Sequence, residues 1–114
     1  MKLFLVLAYL GLVLPLAAQT NDLYVSKNMF TPGTDTVDIQ VTMANFPNSL
    51  SLQVYNSAGE LVRILGQADT TGPFTQTYTW DGKNVNGEKV GSGIYLILFR
   101  GQQSLRTARI LAVQ

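Results

Sequence analysis

Four oxygen-bearing side chains, Asp81, Asn84, Asn86 and Glu88, fall within the stretch WDGKNVNGEKVGSGIY, Trp80 to Tyr95. Their close spacing is the kind that surrounds a hard cation such as calcium with oxygen ligands. The full D-x-[DN]-x-[DN]-G pattern of a calcium loop is absent, however. A second acidic pair, Asp35 and Asp38 in PGTDTVD, reads as a turn residue after Pro32-Gly33 and a residue on the wet face of a strand. Ser92 stands between Gly91 and Gly93, where a hydroxyl nucleophile would be looked for, but the G-x-S-x-G spacing is missing and no histidine exists to take the proton. Tyr24, Tyr55 and Tyr78 are of the amphipathic aromatic type that sugar-binding surfaces use, with Tyr55 and Tyr78 expected to point outward. From these residues no catalytic, metal-binding or cofactor-binding site is assigned, and no cofactor is expected.

Composition narrows the chemistry further. The chain of 114 residues has no cysteine and no histidine, which removes disulfides, thiolate metal sites, the commonest general base and the commonest metal ligand. Eight basic residues stand against seven acidic ones for a net charge of +1. No cluster of lysine or arginine is dense enough to follow a phosphate backbone, so nucleic acid is not an expected partner.

The N-terminus, MKLFLVLAYLGLVLPLAAQTND, has one lysine, an apolar run from Leu3 to Leu14, and a small-residue end at Leu16-Ala17-Ala18. Those are the three parts of a secretory signal peptide, with cleavage expected between Ala18 and Gln19. The apolar stretch is shorter than the ~20 residues that span a bilayer. Leu16 is larger than the residue usually preferred three places before the cut, which leaves an uncleaved anchor as the alternative. Removing residues 1–18 leaves about 96, enough for one small domain that buries about 60–65% of its unfolded surface. Residues 19–27 read as a tail and first strand, and 28–114 as the domain proper.

From Gln19 onward the periodicity is two. Val37, Ile39, Val41 and Met43 alternate with Asp38, Gln40 and Thr42, the pattern of a strand with one buried and one wet face. Leu50, Leu52 and Val54 repeat it, and Asn56-Ser57-Ala58-Gly59 then turns the chain into ELVRIL, Glu60 to Leu65. TQTYTW, Thr75 to Trp80, and IYLILFR, Ile94 to Arg100, follow; the latter is apolar on both faces and is expected to sit centrally. Gly101-Gln102-Gln103 leads into a last strand, Leu105 to Val113. With an opening strand at Leu23 to Ser26, about seven short strands predict an all-β, immunoglobulin-like or fibronectin-III-like β-sandwich. In this frame the Trp80–Tyr95 stretch is architecture. Trp80 caps one end of the core, Asp81-Gly82 and Asn86-Gly87 are turn pairs, Lys83 to Val90 folds back on itself, and Tyr95 keeps its hydroxyl at the rim.

Three stretches in this order, NMFTPGTDTVDIQV, LQVYNSAGELVRIL and TWDGKNVNGEKVGSGIYLILFR, resemble the successive motifs of FlgD-like immunoglobulin-like domains. They are also similar to C-terminal sorting domains of the type IX secretion system and to gliding-motility-associated C-terminal domains. The resemblance covers Asn28 to Val113. It implies that Phe30, Pro32, Tyr55, Gly59, Trp80, Asp81, Gly82, Gly87, Gly93 and Tyr95 hold fold-defining positions and perform no catalysis. Two features depart from the sorting domains. The leader runs directly into the domain with no cargo between, and RTARILAVQ ends neutral where those domains often finish on a basic residue.

The leading functional expectation is therefore an exported bacterial module without enzymatic activity, secreted or held at the cell surface. It would bind another surface or secreted protein, or a polymer, through strand edges or loops. A type IX sorting or anchoring domain is the second reading and a carbohydrate-binding sandwich the third. After signal cleavage no membrane association is expected. The first strand would lie at a sheet edge that could pair with another chain; charge at Asp22 and Lys27 is expected to blunt that edge and leave a monomer.

Overall fold

The structure, a computed structural model, describes residues 22–43, 48–70, 73–101 and 105–114. The expected signal peptide and its cleavage point between Ala18 and Gln19 lie outside the described residues, as do Gln102 and Gln103 of the turn after Gly101. The described residues form eight strands: β1 (Asp22–Val25), β2 (Met29–Phe30), β3 (Val37–Met43), β4 (Asn48–Asn56), β5 (Leu61–Thr70), β6 (Phe74–Trp80), β7 (Gly93–Arg100) and β8 (Leu105–Ala112). Two sheets result, a three-stranded one in the order β1-β3-β6 and a five-stranded one in the order β2-β8-β7-β4-β5. They pack as a β-sandwich, the fold class read from the periodicity.

The alternation in the sequence accounts for the core. Val37, Ile39, Val41 and Met43 of β3 are all buried, and Leu50, Leu52 and Val54 of β4 meet them from the opposite sheet. Strand β7 adds Tyr95, Ile97 and Phe99, and β8 adds Ile110 and Ala112. Each fully buried aliphatic side chain of this kind contributes about 1.5–3 kcal/mol against the entropy of ordering the chain. As its two apolar faces imply, β7 runs through the middle of its sheet, antiparallel to β4 on one side and to β8 on the other.

Three details differ from the periodicity reading. Strand β2 is the addition to the expected seven: two residues pair in parallel with the end of β8, the Leu111 N–H donating to the Asn28 carbonyl (2.8 Å) and the Val113 N–H to that of Phe30 (2.9 Å). Strand β5 does not stop at Leu65 but runs on to Thr70, with Gly66 opposite Leu52 across a register shift. The ring of Tyr78 lies over Gly66 so closely that a Cβ there would sit 2.4 Å from a ring carbon. Tyr78 is thus the third difference. It points inward, in register with the buried Ile39 and on the same face as Trp80 two residues on, because alternate residues of a strand share a face.

Candidate functional site

The residues that the family resemblance singles out gather mainly at one end of the sandwich, around Trp80. Its indole is fully buried and packs against Phe30 (5.3 Å between ring centroids) and edge-on against Tyr95 (5.6 Å). Both polar handles in this cluster are satisfied. The Trp80 Nε1–H donates to the Lys83 carbonyl at 3.0 Å, and the Tyr95 hydroxyl to that of Gly91 at 2.8 Å, with burial pushing the Tyr95 phenol pKa up. Pro32 closes the end by packing on Gly82, whose φ is +78° and where a Cβ would meet the Pro32 Cα at 2.7 Å. The Gly33 N–H donates to the Asp81 carbonyl at 3.2 Å and clamps the two stretches together. Phe30, Pro32, Trp80, Gly82 and Tyr95 therefore pack together at this end of the core, with Asp81 at its rim.

Beside this cluster lie two turns with the same signature, Asn-x-x-Gly-Glu, at Asn56–Glu60 and Asn84–Glu88. In the first, Asn56 Oδ1 accepts the N–H groups of Ala58 (3.0 Å) and Glu60 (2.9 Å), and its Nδ2 donates to Glu60 Oε1 (2.9 Å). In the second, Asn84 Oδ1 accepts those of Asn86 (2.9 Å) and Glu88 (3.0 Å), and its Nδ2 donates to Glu88 Oε1 (3.2 Å). Gly59 and Gly87 take the same place in each, at φ +82° and +81°, where a side chain is disfavoured. The asparagine that opens each signature holds the turn, so Asn84 governs the second one, a role the Asn86-Gly87 reading overlooked. The signal was legible as a repeated five-residue pattern.

The same bonds engage oxygens that the sequence sets at close spacing. Asp81 Oδ1 accepts the Lys83 N–H (3.0 Å) and faces Arg63 at 3.5 Å, while the Asn84 carbonyl oxygen and one Glu88 oxygen are spent within the turn. Asp81 Oδ1, Asn84 Oδ1 and Glu88 Oε1 thus shape the loop. Asp35 is held by Lys27 at 2.9 Å and by the Thr36 N–H, which lower its pKa in that order. Asp38 accepts the Thr79 hydroxyl at 2.9 Å. Ser92 Oγ accepts the Gln114 N–H at 3.0 Å and anchors the C-terminus. Gly93 opens β7. The three tyrosines do not form a shared platform: Tyr24 is exposed on the three-stranded sheet, Tyr55 is half-buried on the five-stranded one with its hydroxyl on Gln53 (2.7 Å), and Tyr78 faces the core.

What remains is a surface. The outer face of the three-stranded sheet presents Asp38, Gln40 and Thr42 of β3 beside Thr75, Thr77 and Thr79 of β6. The outer face of the five-stranded sheet is built in cross-strand rows. One row reads Leu61, Tyr55, Leu96, Arg109 and the next Ile64, Gln53, Leu98, Thr107. Ile94, Leu111 and Met29 form a third. Leu61, Ile64, Ile94, Leu111 and Met29 are exposed. At the far edge, the Val85 N–H donates to the Val62 carbonyl of β5 (3.1 Å), and Val85, 81% exposed, lines one shallow depression with Leu61 and Ile64. This face thus carries more exposed apolar side chains than the three-stranded one, with Gln53, Thr107 and Arg109 set among them.

Compared with known families, residues 26–102 match the FlgD Ig-like domain. No curated protein matches the chain. Among solved structures it is similar to PorZ, a bacterial surface component of the type-IX secretion system of Porphyromonas gingivalis, at 18% identity and a TM-score of 0.48, over 81% of this chain and 11% of that one. A likeness of that size adds nothing to the family match.

Proposed function

The chain belongs to the FlgD Ig-like domain family, and from that premise we propose that it is an exported, non-enzymatic module for protein interaction or cell-surface assembly. Its working surface in this reading is the outer face of the five-stranded sheet. The observation that carries it is the contrast between that apolar face and the threonine-rich face on the other side of the same sandwich. An antiparallel sheet needs one apolar face to make a core, and the second is expected to be polar. A second apolar face has a cost in solubility that a binding role offsets. The absence of histidine and cysteine, together with the engagement of Asp35, Asp81 and Glu88 in local hydrogen bonds, supports a role outside catalysis. The N-terminal segment supports export, with a mature chain that begins at Gln19.

The test replaces Leu98 on the apolar face by arginine and, as a control, Thr77 on the polar face by arginine, and follows the protein on intact cells of its host. Wild type and Thr77→Arg are expected to remain surface-held and accessible to added protease, whereas Leu98→Arg is expected in the medium. Retention of Leu98→Arg at the wild-type level would overturn the reading. Intact mass of the recovered protein gives the N-terminus, expected at Gln19.

A further inference from the structure

Resting on that reading of the apolar face, we infer that its occupant is a second copy of this chain, joined face to face about a two-fold axis that runs along the strands between β4 and β7. Three observations lead there. The first is size. Five strands at about 4.8 Å spacing and about eight residues at 3.4 Å make a face of roughly 650 Å². Two such faces bury about 1,300 Å², inside the range of specific interfaces, and aligned sheet packing is a geometry that such faces adopt.

The second observation is the width of the face. The sheet order β2-β8-β7-β4-β5 continues past β5 into the Asn84–Glu88 turn through the bond between Val85 and Val62. An axis between β4 and β7 then exchanges β7 with β4, β8 with β5, and β2 with that turn. The operation keeps each cross-strand row at its own height, so it lays Arg109 of one copy over Leu61 of the other, Leu96 over Tyr55 and Leu98 over Gln53. A face that maps onto itself in this way suits the isologous contact of a two-fold dimer.

The third is charge. Asp69 on β5 and Arg100 on β7 lie at the same end of the face and border one open depression over Ser51. Within one copy they stand two strands apart, since Arg100 is in register with Ser51 of β4 and Ser51 with Gln67 of β5. The two-fold axis sets the partner's Arg100 above β4, one strand from Asp69, and does so twice. It also sets the partner's Arg109 above Leu61, where its aliphatic stem covers the leucine and its guanidinium reaches the Tyr55 ring.

The chain has no cysteine, which permits a direct test. Protein carrying Leu61→Cys is mixed with protein carrying Arg109→Cys and oxidised. The expected product is a disulfide-linked pair between the two variants, with little linkage in either variant alone, because the axis places Arg109 against Leu61 and not against itself. Sedimentation equilibrium of the protein as recovered from its host is expected to show a dimer. Arg100→Glu alone and Asp69→Arg alone should each weaken it, and the double variant should restore it. Leu98→Arg should raise the dissociation constant about thirtyfold or more, the scale of a central interface residue. A monomer at every concentration, or equal self-linkage of the single cysteine variants, overturns the proposal. If the chain is monomeric and Leu98→Arg is still lost from the cell surface, the interaction reading stands with a different protein as occupant. If neither changes, both fall.

Discussion

The two outer faces of this sandwich are made by strands with the same alternation, yet they differ in how many apolar side chains they expose. On the three-stranded sheet the outward positions of β3 and β6 are Asp38, Gln40 and Thr42 beside Thr75, Thr77 and Thr79. On the five-stranded sheet the outward positions of β7 alone are Ile94, Leu96 and Leu98. The inner faces are alike, since both supply the apolar side chains that close the core. What the fold requires is thus satisfied twice over by the inward residues, and the outward leucines and isoleucines are a surplus that the fold does not explain. The difference teaches that strand patterning serves two ends here, folding on one side and contact on the other.

If that division is right, neighbouring residues on β7 should behave unlike each other. Ile97 is fully buried, and Leu96, next to it, is half-buried on the outer face. Ile97→Ala is expected to destabilise the protein by about 2–5 kcal/mol, from lost transfer energy and a cavity. Leu96→Ala should cost about 1 kcal/mol or less in dilute solution, where the outer face is wet. Chemical denaturation measures both. Repeated at rising protein concentration, the cost of Leu96→Ala should grow and that of Ile97→Ala should not, because association stabilises only the folded form. Equal costs in dilute solution would break the comparison between the faces.

A smaller effect tests how the sheets approach each other. Gly66 lies under the Tyr78 ring, with no space for a methyl group. Gly66→Ala should lower stability by about 1–3 kcal/mol through overpacking, and pairing it with Tyr78→Leu, which removes the ring, should recover much of the loss. Burial pushes the Tyr78 phenol pKa up, as it does that of Tyr95. The folded protein therefore favours the neutral phenols. Their contribution is fully present below the usual tyrosine value of 10.0 and fades as pH rises above it, so alkaline unfolding should begin there.

How much of this was legible in the sequence follows from what each pattern encodes. Alternation reports which residues of one strand share a face, so β3, the start of β4 and the central place of β7 could be read directly. The inward direction of Tyr78 was also available, since Trp80 two residues later fills the core, but a polar hydroxyl and flanking threonines favoured the opposite reading. The continuation of β5 past Gly66 was not available. A glycine inside a strand pattern can end it or admit a ring from the facing sheet, and only the position of Tyr78 distinguishes the two. The outer apolar face was half legible. The pattern of Ile94 to Phe99 shows two apolar sides, but which residues of β5, β8 and β2 join it depends on pairings between distant segments, beyond the reach of any local period.

The smallest effect belongs to the polar side. Lys27, expected with Asp22 to blunt the free edge of β1, reaches Asp35 at 2.9 Å, and both side chains remain well exposed. The hydrogen bond from Lys27, followed by that from the Thr36 N–H, holds the Asp35 pKa below its usual 3.8. A depressed folded-state pKa adds stability above the usual carboxylate value, and that stability is lost as pH falls through the lower folded value. At full solvent exposure the gain is screened and slight. NMR titration of the Asp35 carboxyl should find it below 3.8, and Lys27→Met should move it back towards that value with no measurable change in the midpoint of thermal unfolding at neutral pH. A marked drop in that midpoint would mean that the edge of the three-stranded sheet depends on this pair, and the contrast between a structural inner face and a merely solvated polar exterior would have to be redrawn.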